Sequence, residues 1–198
     1  MSKFDEMKKI RDELFDFKES PFYEDRVSEG YFPVIGEGSH DAKIMFIGEA
    51  PGANEAKTGR PFCGASGKVL DELLSHIGVD RKAVYVTNIV KDRPPNNRDP
   101  KPSEIELYAP FLDRQINIIQ PNVIATLGRF SMEYVMKRLG LGDQLETISN
   151  AHGKVFEVKT DFGAVHIVPL YHPAVAVYNR TQLPSLKKDF EILKKFMK

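Results

Sequence analysis

Residues 43–74 read KIMFIGEAPGANEAKTGRPFCGASGKVLDELL, and the order of residue types in this stretch decides the fold. Lys43 to Gly48 is a short apolar run of the kind that makes a buried strand. It stops in Glu49-Ala50-Pro51-Gly52, where proline and glycine force a turn. A second glycine-marked loop follows, Gly59-Arg60-Pro61-Phe62-Cys63-Gly64-Ala65-Ser66-Gly67. After it comes a helix with Val69, Leu70, Leu73, Leu74 and Ile77 on one face, closing at Gly78. In open α/β sheets such a loop lies beyond the carboxyl end of a strand, where ligands bind, and its free amides suit anionic groups. No G-x-G-x-x-G is present, which argues against a dinucleotide site.

Outward from this stretch, strands and helices alternate. Phe4 to Phe17 has the spacing of an amphipathic helix ended by Ser20-Pro21, and residues 20–42 read as an irregular connection. Val84 to Val90 is a strand rich in β-branched residues, running into the proline-rich segment Arg93 to Pro102. Ser103 with Glu106 has the form of a capping box for a helix to about Gln120, which Pro110 is expected to kink. Asn122 to Leu127 is a third strand, and Gly128-Arg129 opens a helix to about Leu139. Lys154 to Lys159 and Val165 to Leu170 read as a hairpin, and Leu186 to Met197 as a closing amphipathic helix. The pattern predicts a parallel or mostly parallel sheet with helices on both faces, in one domain spanning residues 1–198.

Composition limits the partners. Lys plus Arg and Asp plus Glu both total 28, so no global basic field draws the chain to nucleic acid and any such contact must be local. Lys57, Arg60, Lys68, Lys91, Arg93, Arg98, Arg129 and Arg180 lie in or beside the candidate loops and could form one basic face, although each taken alone also fits a solvated surface of mixed charge. The only cysteine, Cys63, excludes an intramolecular disulfide and a cysteine-based metal cage. The charged segment Met1 to Lys18 is unlike a signal peptide, and no apolar run approaches the roughly 20 residues of a membrane helix, so a cytoplasmic location without membrane contact is expected.

Three strand ends carry unusual polar loops: Gly48-Glu49, Asn88 and His172. Taken singly, Asn88 serves equally well to satisfy local backbone groups, His172 is an ordinary packed histidine, and Phe62 is core. Together they form a pattern. Gly48-Glu49-Ala50-Pro51-Gly52 with Glu55, Gly59-Arg60-Pro61-Phe62 and Gly64-Ala65-Ser66-Gly67, then Thr87-Asn88-Ile89-Val90-Lys91 with Arg93-Pro94-Pro95-Asn96-Asn97-Arg98, and finally His172-Pro173-Ala174 resemble the three ordered signatures of the uracil-DNA glycosylase superfamily, closest to its family 4. The resemblance covers roughly Ile35 to the C-terminus.

The resemblance implies a three-layer α/β/α fold around a central, mostly parallel four-stranded sheet, and a monomeric enzyme that flips uracil out of DNA and hydrolyses its glycosidic bond. It implies that Glu49 and His172 are catalytic, with His172 donating to uracil O2 and Glu49 positioning water or stabilising the sugar cation. Gly48, Ala50, Glu55, Phe62 and Asn88 would bind the base: Phe62 by stacking, Asn88 by pairing with its edge, Glu55 by crowding C5. Arg60, Ser66, Lys91, Pro173, Ala174 and Arg180 would contact DNA, with Pro173 to Arg180 as the loop entering the duplex. Ala50 stands where family 1 carries its water-activating aspartate, and Ala56 replaces a second acidic residue of family 4. Family 4 enzymes usually hold a 4Fe-4S cluster on four cysteines, whose positions here match Ser20, Tyr23, Asp92 and Tyr108, so no metal or organic cofactor is expected. The alternatives are a non-catalytic uracil- or DNA-binding relative and a glycosylase for another deaminated base.

Overall fold

A computed structural model describes residues 1–197. Its strands are β1 (Glu37–Gly38), β2 (Ile44–Gly48), β3 (Tyr85–Asn88), β4 (Val123–Leu127), β5 (Phe156–Thr160) and β6 (Gly163–Leu170). Its α-helices are α1 (Lys3–Phe15), α2 (Tyr23–Ser28), α3 (Ala53–Thr58), α4 (Ala65–His76), α5 (Pro102–Ile119), α6 (Arg129–Arg138), α7 (Ile148–Ala151), α8 (Ala174–Tyr178) and α9 (Leu183–Phe190).

The strands form one sheet in the order β1-β3-β2-β4-β6-β5. The inner four are parallel, and β1 and β5 pair antiparallel at the edges. The sheet is therefore six-stranded and mixed, which corrects the four-stranded expectation. The reason lies in the connections: β5 and β6 are joined by a tight turn at Thr160 and Gly163, and so short a link permits only antiparallel pairing. At the other edge, two residues of the segment expected to be irregular pair with β3.

Every residue of β2, β3 and β4 is buried, as expected of parallel strands covered on both faces. Successive side chains then serve opposite layers. Met45 and Ile47 of β2 join Ile124 and Ile167 under α1, α5 and α6, whereas Ile44 and Phe46 join Val86, Ala125 and Val168 under α4 and α9. Helices on both faces leave the carboxyl ends of the inner strands gathered on one side of the molecule.

Local expectations needed adjustment at helix ends. The Ser103–Glu106 box does not form, because α5 starts at Pro102, whose missing N–H costs nothing in a first turn. Glu104 instead accepts from the Lys101 amide at 2.8 Å and is gripped by Arg98 at 2.6 and 2.9 Å. The helix continues through Pro110 to Ile119. The final expected helix is divided into α9 and a 3₁₀ segment, Glu191–Phe196, which together bury Leu183, Leu186, Phe190 and Leu193.

Candidate active site

The ends of β2 and β3 lie side by side beyond their last paired residues, because the Ile89 and Val90 amides donate to the Gly48 and Glu49 carbonyls, each at 3.0 Å. This fixes Gly48 against Asn88. A Cβ added at Gly48 would fall 2.4 Å from Asn88 Oδ1 and 2.7 Å from Phe62 Cζ, so glycine is required for these two side chains to meet over the strand end. Asn88 is 2% exposed, and its side-chain amide makes no hydrogen bond to any described residue. A buried amide left open in this way is a donor and an acceptor offered to something that enters the hollow.

Phe62 is brought there by its loop. Its φ of 48° lies in the left-handed region, a conformation of about 1–3 kcal/mol cost that surrounding contacts must hold. Glu55 Oε1 accepts from the Cys63 and Gly64 amides at 2.9 and 2.8 Å, securing the loop from α3. From α4, Gly67 packs so closely that a Cβ there would lie 1.8 Å from the Phe62 carbonyl oxygen.

His172 follows β6, with its ring centroid 5.6 Å from that of Phe62. Its Nδ1 accepts from the Ala174 amide at 3.1 Å, which leaves the proton of the neutral ring on Nε2. Burial lowers its pKa to about 4, with Glu55 acting weakly in the opposite direction, so at neutral pH the ring is an uncharged donor. The end of β4 comes equally close: a Cβ at Gly128, where φ is 98°, would lie 3.3 Å from the His172 Cβ.

Glu49, next to Gly48, is half-buried, and its carboxyl has no hydrogen-bond partner among the described residues. Burial raises its pKa to about 7; Asp99 pushes the same way and Arg129 opposes. Asp99 and Arg129, a pair that sequence reasoning did not connect with Glu49, bond to each other at 2.8 Å.

The profile of the Uracil DNA glycosylase superfamily matches residues 35–197. The chain belongs to this superfamily. It is 43% identical to a type-4 uracil-DNA glycosylase of Sulfurisphaera tokodaii over 94% of the chain and 83% of that relative. With a type-4 uracil-DNA glycosylase of Archaeoglobus fulgidus the identity is 45%, over 80% of the chain and 76% of the relative. A type-5 uracil-DNA glycosylase of Thermus thermophilus is 32% identical over 71% of the chain and 68% of the relative.

Within this member of the superfamily the remaining expected site residues fall into distinct places. Ala50 is half-buried and packs against the core below α5 and α6, and Ser66 lies in the first turn of α4. Arg60 is exposed and paired with Glu37 at 3.0 Å. Arg180 is exposed and reaches Glu72 of α4 at 2.5 Å, which fastens the segment after α8. Pro173 and Ala174 begin α8, which ends in Val177, 42% exposed, and Tyr178, 90% exposed.

Lys91 contradicts its expected role. It is fully buried and bonded to Thr87, Asn88 and Gln115, so it cannot reach a phosphate. A lysine in a loop beside a ligand site is ordinarily solvated; here the chain after β3 turns inward beneath α5. The available signal was Gln115, a polar residue on the otherwise apolar stripe of that helix.

The four positions matched to cluster cysteines do not fit an iron-sulfur cluster. Tyr108 is fully buried; its hydroxyl lies 2.6 Å from Ser20 Oγ and donates to Asp92 Oδ2 at 2.5 Å. Asp92 also accepts from Arg26 Nη1 at 3.1 Å, and Arg26 lies over the Tyr23 ring at 5.1 Å from its centroid. Phe22 stacks on Tyr108, so oxygen donors and aromatic rings occupy this space. Among the described residues, no group of three or more His, Cys, Asp or Glu side chains is placed to hold a metal.

The Glu49 shift has a consequence for stability with a definite sign. A carboxyl whose folded pKa is raised binds protons more readily when folded, so it favours the folded state below its ordinary pKa of about 4.5 and loses that contribution as pH rises through about 7. His172, with a lowered pKa, works in the opposite direction between about 4 and 6.5. Glu49→Gln should isolate the first effect: its urea midpoint relative to wild type should rise between pH 5 and pH 8.5. A difference independent of pH would contradict the burial of this carboxyl.

Proposed function

We propose that this chain is a type-4 uracil-DNA glycosylase, acting as a cytoplasmic monomer and a single domain over residues 1–198. The observation that carries this reading is Asn88, a buried amide open to a ligand and pressed against Gly48 and Phe62. The higher identity to type-4 than to type-5 relatives supports the finer assignment.

In this reading Phe62 stacks on the extruded uracil, and Asn88 accepts from N3–H while donating to O4. The amino group of cytosine would leave the same amide mismatched in a dry site, which is the source of base choice. Gly48 and Ala50 give the base room, and Glu55 walls the C5 side while holding the Phe62 loop. The C1′–N1 bond breaks with its electron pair going to the base, and the negative charge spreads to O2, where the neutral His172 donates from Nε2. Glu49, as carboxylate, stabilises the sugar cation and orients water. The water oxygen bonds to C1′ and its proton passes to Glu49, whose pKa near 7 suits it to accept. The products are an abasic site and the uracil anion, which becomes uracil when the proton held by Glu49 returns to it through solvent. Arg60, Ser66, Pro173, Ala174 and Arg180 contact the DNA backbone around the extruded nucleotide, and the exposed Val177 and Tyr178 occupy the gap it leaves.

Incubation with a labelled uracil-containing oligonucleotide, followed by alkali, tests the activity: strand scission at uracil is expected, and tight binding without scission would favour a non-catalytic relative. His172→Ala should lower the single-turnover rate by roughly 10²-fold, the scale of losing one preorganised donor. Weakened binding at an unchanged rate would remove His172 from the chemistry. Asn88→Asp replaces the donor with an acceptor and should sharply reduce uracil excision; unaltered activity in that variant would falsify the pocket.

We further propose that Ser20, Tyr23, Asp92 and Tyr108 replace the four cluster ligands of type-4 enzymes and that packing does the cluster's structural work. The protein should purify colourless and without stoichiometric iron. Tyr108→Ala should destabilise it by about 3–5 kcal/mol in urea, as large aromatic truncations in cores do. A visible iron-sulfur absorbance, or a Tyr108→Ala protein as stable as the parent, would show that these positions are misassigned.

A further inference from the structure

Lys91 is fully buried, and no carboxylate forms an ion pair with it among the described residues. Its Nζ donates to Thr87 Oγ1 at 2.7 Å, to the Asn88 carbonyl at 2.7 Å and to Gln115 Oε1 at 2.5 Å, with the Ile35 carbonyl farther off at 3.5 Å. Three short bonds to oxygen match the three hydrogens of an ammonium, whereas a neutral amine would turn its lone pair toward one of these oxygens. The neighbours are not free to become donors. The Thr87 hydroxyl gives its hydrogen to the Ile35 carbonyl at 2.7 Å. Gln115 Nε2 donates to the same carbonyl at 2.9 Å and to the Tyr85 hydroxyl at 3.2 Å, which leaves Oε1 facing Lys91. Burial pushes the lysine pKa well down, and this cage of acceptors works against that push.

The position of the cage matters more than its composition. Neighbouring side chains in a strand point to opposite faces, so Thr87 turns toward α5 and Asn88 toward Phe62. Lys91 therefore sits behind the Asn88 peptide, bonded to its carbonyl, on the side away from the hollow. A charge buried away from bulk solvent, with no counter-ion among the described residues, is poorly screened, and its field reaches across the peptide into the site. The side chains that meet the face and the pairing edge of the base, Asn88, Phe62 and His172, are uncharged at neutral pH. The other two groups assigned to the hollow, Glu55 on the C5 side and Glu49 by the sugar, are carboxyls, so none of these site side chains offers a positive charge to a base anion.

We propose that Lys91 is a positioning residue that holds the Asn88 peptide and biases the hollow electrostatically toward the base anion formed as the glycosidic bond breaks. It touches no substrate. The proposal rests on the glycosylase reading and adds to it a source of leaving-group stabilisation outside the three signature side chains.

The test compares single-turnover excision of uracil and of 5-fluorouracil from the same oligonucleotide by the wild-type chain, Gln115→Glu and Lys91→Met. Fluorine stabilises the departing anion with little change in shape, so an enzyme deprived of anion stabilisation suffers less on that base. Gln115→Glu places a carboxylate where Oε1 now meets Nζ and so neutralises the cation while keeping it in place. It should slow uracil excision roughly tenfold, and 5-fluorouracil excision only about threefold or less. Lys91→Met should show the same asymmetry with a larger loss; if it does not fold, Gln115→Glu decides alone. Equal losses on the two bases, or no loss in a Gln115→Glu protein of unchanged urea midpoint, would overturn the electrostatic role. Release of neither base by the wild type would overturn the glycosylase reading itself, and this proposal with it.

Discussion

The missing side chain at Gly48 is the constraint on which the site depends. Two parallel strands must end level with each other, one with an amide side chain and one with none, for Asn88 and Phe62 to share the space above them. Everything nearby defends that closeness. The bonds from Ile89 and Val90 keep the strand ends together after the sheet proper has ended. Glu55 and Gly67 hold Phe62 in its left-handed conformation from two different helices. Even a methyl group at either glycine would displace a neighbour by more than packed interiors tolerate.

Much of this was legible in the sequence, for physical reasons. The inner strands are covered on both faces, so they appear as unbroken apolar runs, and their polar ends stand out against them. Gly48, Asn88 and His172 stand at such ends, the family resemblance groups them with Phe62, and in the structure these four residues lie close together. The edges were less legible. β1 is two residues long and has no pattern of its own; only the presence of β3 beside it makes it a strand. Lys91 was misjudged because the type of a residue reveals its charge and not the direction of the chain that carries it. Arg26 escaped notice for a related reason: it completes a buried polar group whose other members come from distant segments, and nothing local marks it as destined for the interior, whereas Gln115 does interrupt the apolar stripe of α5.

The two buried polar clusters solve the same problem by different means. Around Asp92 an aspartate and an arginine neutralise each other, and Ser20, Tyr108 and the carbonyls of Leu14 and Phe15 take up their remaining hydrogen-bonding capacity. This joins the N-terminal helices to the segment after β3. Around Lys91 there is a cation and only dipoles to face it. An isolated buried charge is costly, and a site that retains one gives up stability that an apolar residue would have supplied. The first cluster therefore has the character of a brace, and the second that of a stored field next to the hollow.

The arginines beside the site already have partners: Arg60 with Glu37, Arg98 with Glu104, Arg129 with Asp99 and Arg180 with Glu72. A phosphate approaching any of them must displace a carboxylate, so contact with a nucleic-acid backbone becomes an exchange of ion partners. The gain per contact is then smaller than for a free cation, and the dependence of affinity on salt should be correspondingly shallow. Such a surface adheres weakly to ordinary duplex. A searching molecule built this way leaves undamaged DNA quickly, and its residence is set by whether a base enters the hollow.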